Sequence, residues 1–378
     1  MSVTTETTGD RPHHVRAESA AITARGSASA GSRATVPSAS AAARIAHIEV
    51  IRGLACLMVV AYHVIGNDPA HGMRMAEGTT WWAVPRLFDA VQMPLFAFVS
   101  GWVFTIATDD LGRFRAGLAK KLLRLALPMA SVSLIYLALA TATGKGEGRG
   151  VLDVLILPYQ HLWYLQASLW LVAFAAAGSL VFAGRRGLFA GIGLAATLAV
   201  FLVVPRFGIN LLAIEQAIYL APYFFAGLVL RTSDAETLVL ASRARTGAVL
   251  GWLTAVGGAA AVLTVLVFHA SGPSDTPMQT APAFVAATAL AGLMMLMRPR
   301  SSLLEAIGAR SFTIYLFHVF FAAPMREVVL KIWPGVPSLV LFSIVFTVGV
   351  GVPFVLHGFI TKNRWSALLL LGEMGGRR

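Results

Sequence analysis

One apolar run, HIEVIRGLACLMVVAYHVIG (residues 47–66), carries Arg52 and His63, with Glu49 one helical turn before the arginine. At about 100° of turn per residue, Glu49, Arg52, Cys56 and His63 fall within an arc of roughly 60° on a helix. They form a polar stripe on an otherwise apolar cylinder. An imidazole titrates near neutrality, so His63 is the stripe member suited to taking and returning a proton. The guanidinium of Arg52 suits the binding of an anionic group, and Glu49 stands where it could orient it. Arg52 and His63 lie about 16 Å apart along the axis and cannot touch the same atom. Cys56 reads as a small buried packing residue.

Further polar groups recur in three places. The basic segment RFRAGLAKKLLRLALP (113–128) sets Lys121 and Arg124 one turn apart. That is the spacing of a clamp for a phosphorylated ligand, or of plain topological charge meeting anionic headgroups. The segment is amphipathic and is expected to be stopped or kinked at Pro128. YQHLWYLQ (159–166) groups His161, Trp163 and Tyr164. These residues suit either an interfacial belt or the apolar faces and hydroxyl edges of a sugar. ARSFTIYLFHVF (309–320) places Tyr315 and His318 on one helical face. In DAVQMPLFAFVSGWVF (89–104), Asp89 and Gln92 precede Ser100-Gly101, a small pair that permits close helix approach.

These groups must be held by membrane helices. The chain of 378 residues is 57% hydrophobic and only 13% charged, about half the charge of a soluble domain. Lipid must therefore be the solvent for much of it. At about 20 apolar residues per span, ten stretches qualify, near 47–66, 84–107, 121–142, 163–183, 188–204, 211–230, 247–269, 281–297, 310–328 and 337–360. The expected fold is an all-α, polytopic bundle of about ten spans. Lysine and arginine divide between the two sides by roughly three to one, which places both termini in the cytoplasm. Residues 1–44 are rich in Ser, Ala, Thr and Gly and read as a disordered cytoplasmic tail without a signal-peptide core. Residues 45–361 form the membrane domain and 362–378 a short cytoplasmic tail.

Several classes are excluded or weakened. A net charge of +12 is topological in such a chain and does not point to nucleic acid. A single cysteine gives no disulfide framework or cysteine-rich metal site. There is no phosphate loop of the GxxxxGK type, no HExxH and no GxSxG. No metal is expected. Buried Arg and His also mark proton-coupled transport, so a transporter of a small molecule or glycan is the alternative class. No half-to-half repeat supports it.

Taken together, the stretches resemble the acyltransferase-3 family of bacterial integral-membrane O-acyltransferases. EVIRGLACLMVVAYH supplies Arg52 and His63 at the family's spacing, with Glu49 in place of the usual Asp. LFAFVSGW (95–102) is similar to the second-span motif, and KLLRLALP (121–128) to the basic element, with Lys121 where Arg is more usual. HLWYL (161–165) and IYLFH (314–318) match two more landmarks. The resemblance covers about residues 45–360. It implies transfer of an acyl group, usually acetyl, from acyl-CoA as co-substrate to a hydroxyl of a carbohydrate, glycolipid or glycosylated metabolite, with no further cofactor. His63 would be the base or a transient acyl carrier. Arg52, Lys121 and Arg124 would hold the CoA phosphates. His161, Trp163, Tyr164, Tyr315 and His318 would receive the acceptor. Localisation in the bacterial cell membrane follows. Some members carry an SGNH-type domain after the bundle, so here any such partner is expected to be a separate extracytoplasmic protein.

Overall fold

The computed structural model describes residues 39–66, 71–75, 79–144, 148–203, 210–271 and 277–373. Most of the expected N-terminal tail and the last five residues lie outside these. Fourteen α-helices and two one-turn 3-10 segments, with no strand, make up the described fold. The helices are α1 (Ala39–Ile65), α2 (Thr80–Trp102), α3 (Leu111–Ala142), α4 (Val151–Ile156), α5 (Trp163–Val181), α6 (Arg186–Val203) and α7 (Ile214–Thr232). They continue with α8 (Ala235–Leu240), α9 (Arg243–Ser271), α10 (Pro277–Met297), α11 (Ser302–Ala309), α12 (Ser311–Ile332), α13 (Ser338–Ile360) and α14 (Arg364–Leu371).

Each of the ten apolar stretches is a long helix. Among the described residues, seven helices are long and apolar enough to cross a membrane, or eight if the pair α10 and α11, bent by 119°, is one span. The apolar helix over Arg186–Leu202 is shorter, and α2, interrupted by Arg86, Asp89 and Gln92, is not among the seven. Large apolar side chains such as Trp252, Leu266, Val355 and Phe359 point outward from the bundle, where lipid rather than water would favour them. The expected stop at Pro128 does not occur. The helix α3 runs unbroken from Leu111 through Pro128 to Ala142, so the basic segment and the span are one element. Its start is fixed by Asp110, whose carboxylate accepts from the Arg113 amide at 2.7 Å, a helix N-cap.

The bundle centre is built on close glycine crossings. A Cβ on Gly101 would fall 1.8 Å from the Phe224 carbonyl oxygen, and one on Gly227 2.0 Å from that of Phe98, so α2 and α7 touch backbone to backbone. The first helix does the same with α11. A Cβ on Gly53 would sit 2.3 Å from the Leu304 oxygen, and one on Gly308 1.9 Å from the Glu49 oxygen. Small residues allow this approach, which maximises dispersion contact where no hydrophobic gain is available between helices. The glycines beside Arg52 and Ser100 are therefore packing residues. Gly308→Ala is expected to lower stability by roughly 1–3 kcal/mol through overpacking, read as a lower melting temperature of the purified protein. An unchanged melting temperature would mean that the α1–α11 crossing opens without cost.

Candidate active site

His63 lies in the last turn of α1. The chain reverses immediately after it. Gly66 and Gly72 take positive φ of 88° and 57°, and the Met73 amide donates to the Ile65 carbonyl at 2.9 Å. A Cβ on Gly72 would meet the Gly66 nitrogen at 2.3 Å, so only glycine fits this reversal. The segment that follows is tied to α12, where Arg326 Nη1 donates to the Gly72 carbonyl at 2.9 Å. Arg326 Nη2 also holds Glu327 at 2.6 Å, and Arg74 reaches the same carboxylate at 3.3 Å.

His161 arrives from a different element. It sits in the one-turn 3-10 segment Gln160–Leu162 that leads into α5 and is almost completely buried. Gln160 has a φ of 48°, an unusual conformation for a residue with a side chain. Such strain persists only where the surroundings over-determine it. Here the Gln166 amide donates to the carbonyls of Leu155 and Leu157 at 3.2 and 2.9 Å, and Arg149 donates to that of Pro158 at 3.0 Å. These bonds hold the approach to His161 from both ends. The Tyr315 hydroxyl, from α12, donates to the His161 carbonyl.

His318 completes the group. It lies one turn after Tyr315 on α12 and is fully buried. Its ring centre is 5.0 Å from that of His63 and 4.9 Å from that of His161, and His63 and His161 are 5.9 Å apart. Three histidines from three separate elements thus pack ring against ring. The aromatic wall continues through Tyr315, 5.5 Å from His161, to Tyr164, 5.9 Å from Tyr315, and on to Trp163. The Tyr164 hydroxyl and Ser100 Oγ are 3.4 Å apart. Among the described residues no three His, Cys, Asp or Glu side chains converge as metal ligands.

A cavity of about 570 Å³ opens beside this cluster. His63, His161, Trp163 and Tyr315 line it, whereas His318 stands behind the wall. The wall also includes residues to which the sequence gave no role: Tyr136 of α3, Gln160 and Arg326. Asp89 and Gln92, visible in the sequence only as polar interruptions of α2, line it too. Arg326 is far from His63 in sequence, and no periodic signal shows that the two share a cavity.

The remaining candidates lie further back along α1 and on α3. Arg52 Nη1 is 3.1 Å from Glu49 Oε1, an ion pair within one helical turn and partly open to solvent. Cys56, between this pair and His63, is fully buried, with Sγ directed at the Ser311 carbonyl at 3.8 Å. Lys121 Nζ lies 5.2 Å from the Phe104 ring centre. Arg124 has an exposed side chain, and its main chain is covered by Gly372 after α14. Arg231 stacks over Trp102, 5.2 Å from the ring centre, and Trp102 packs against His47 near the start of α1. Arg52 thus sits near the middle of α1, Lys121 and Arg124 in the first half of α3 and Arg231 in the last turn of α7, whereas His63 is in the last turn of α1.

A family model described as an acyltransferase domain matches residues 45–358. The chain belongs to the acyltransferase-3 family. It is therefore an O-acyltransferase, and its apolar helices make it a multi-pass membrane protein. Comparison with curated proteins and with solved structures finds no match. Within this acyltransferase, the matched region contains both ends of the polar stripe, the histidine cluster and every cavity-lining residue named above.

Proposed function

We propose that the enzyme carries an acetyl group from acetyl-CoA to a hydroxyl of a carbohydrate-containing acceptor, with His63 as the general base. The carrying observation is that His63 meets His161 and His318 ring to ring while itself lining a cavity with polar and aromatic walls. The acceptor hydroxyl would lie against His63, with Trp163, Tyr315 and His161 of the lining as the surfaces for its sugar ring and Tyr164 backing Tyr315. His63 takes the hydroxyl proton as the oxygen attacks the thioester carbonyl. The C–O bond forms, the C–S bond breaks, and the proton passes from the imidazolium to the departing thiolate, giving CoA and the ester.

The donor's phosphates would bind through Arg52 oriented by Glu49 and through Lys121 and Arg124. The gap of about 16 Å between Arg52 and His63 along α1 is what an extended pantetheine arm must cross. On this reading acyl-CoA lies on the cytoplasmic side and the acceptor cavity toward the other, in a ten-span bundle of the bacterial cell membrane with both termini cytoplasmic. The supporting pattern is the basic-residue bias.

The test uses purified enzyme in sealed vesicles of known orientation, with radiolabelled acetyl-CoA on the cytoplasmic face and a mixture of cell-surface glycans on the other. Labelled glycan is expected to appear in step with free CoA. Movement of glycan with no acetyl-CoA consumed would instead support a transporter. Transfer only when both substrates share the cytoplasmic face would move the acceptor site away from His161 and Trp163.

A further inference from the structure

His318 is fully buried on α12 and stands behind the cavity wall. Its Nδ1 lies 2.8 Å from the Tyr315 carbonyl oxygen and 3.1 Å from that of Ile314. Carbonyl oxygens only accept, so Nδ1 carries the hydrogen. In the uncharged ring, Nε2 is then a bare lone pair. That atom is buried and finds no hydrogen-bond partner among the described residues. A buried acceptor left unmade costs about 1–3 kcal/mol, and such an orphan calls for a physical reason.

The neighbouring ring supplies one. The ring centre of His63 is 5.0 Å away, tilted by 45°. Ring centres at this separation are compatible with an N–H of His63 directed at His318 Nε2. Which nitrogen of a histidine holds the proton is set by the bond its other nitrogen makes. With one N–H of His63 committed to His318, the second nitrogen keeps its lone pair. His63 lines the cavity, so this is the nitrogen free to face it. His161 is built in the same sense. Its Nε2 is 3.3 Å from the Leu316 carbonyl and must donate there, leaving Nδ1 as an acceptor. Both rings are thus pinned by backbone carbonyls of α12 and keep their second nitrogen as an acceptor.

We infer that His318 is the positioning residue of the active site: its Nε2 accepts from His63 and fixes that ring with its basic nitrogen toward the acceptor hydroxyl. The inference rests on the reading of His63 as the base. When His63 takes the hydroxyl proton, the bond to His318 stays in place and the imidazolium is met by an acceptor instead of a second N–H.

Three variants test this in reconstituted enzyme, with CoA release as the readout. His318→Phe keeps the ring volume and removes the acceptor. It is expected to lower kcat by about 10–100-fold, the scale of a misplaced catalytic group, with KM for acetyl-CoA changed less than about twofold. His318→Gln restores an acceptor through its amide oxygen and is expected to recover at least part of that loss. In a double-mutant cycle, adding His318→Phe to His63→Ala is expected to cost nothing further, because the two residues act as one unit. Full activity in His318→Phe, an equal loss in the Phe and Gln variants, or a further loss in the double variant would each overturn the positioning role. These outcomes are separate from the fate of the base assignment. That assignment fails only if His63→Ala alone retains normal turnover, whatever the His318 variants do.

Discussion

His63→Ala is expected to reduce acyl transfer by about 10²–10⁴-fold, the usual contribution of a positioned general base, in a protein that still inserts and purifies as a folded species. The expectation has two parts. In the proposed mechanism this imidazole, which lines the cavity, takes the hydroxyl proton, and its removal leaves the acceptor hydroxyl with its proton. The fold should tolerate the change because His63 ends a helix whose crossing with α11 is made more than two turns earlier, at Gly53. Initial rates of CoA release, at saturating acetyl-CoA and glycan, measure the first part. Melting temperature and monodispersity measure the second. Near-normal turnover would remove His63 from the mechanism, and the neighbouring His161 would become the first candidate in its place. Trapping a labelled acyl group on the wild-type enzyme, and its absence in His63→Ala, would convert the base into a covalent carrier without moving the site.

Arg52→Ala is expected to raise the KM for acetyl-CoA by roughly 10–100-fold, the range that a hydrogen bond to a charged group provides, about 1.5–3 kcal/mol. The KM for the acceptor should stay within about twofold. The asymmetry follows from position. Arg52 lies about three helical turns from His63, and its guanidinium is held at 3.1 Å by Glu49. Arg52→Lys is expected to recover only part of the loss, since an ammonium cannot reproduce the planar two-pronged contact. Lys121→Ala and Arg124→Ala should each act in the same direction with smaller effect. Arg124 is exposed, where solvent screens charge, and an exposed contact contributes about 0–1 kcal/mol. Steady-state kinetics with each substrate varied in turn separates these outcomes. Equal increases in both KM values for Arg52→Ala would mark it as a structural residue of the α1–α11 crossing.

Much of this protein could be read from its residues in order. Apolar runs of about 20 residues exposed each long helix, because a segment surrounded by lipid or by other helices must be apolar along its whole length. The Arg52 to His63 stripe could be read because both residues belong to one helix, whose 3.6-residue period is written directly in the sequence. The Ser100-Gly101 pair could be marked as a site of close approach, though not the partner it approaches. Misreadings arose where local signals compete. Pro128 forecast a stop or a kink in α3; the stop does not occur, and the helix continues to Ala142. The break in the apolar run between α10 and α11 gave no sign of its 119° bend.

What the tertiary structure alone decided is the meeting of His63, His161 and His318. They lie on three elements separated by some hundred residues or more, and no periodicity spans such distances. Their encounter depends on backbone contacts: α11 pressed onto α1 at Gly53 and Gly308, a Tyr315 hydroxyl bonded to the His161 carbonyl, and a strained Gln160 locked by Gln166 and Arg149. The same contacts settled which histidine faces the cavity and which stands behind it. A helical period tells which residues share a face of one helix. Which faces meet depends on how closely backbones can approach, and that is a property of pairs of helices.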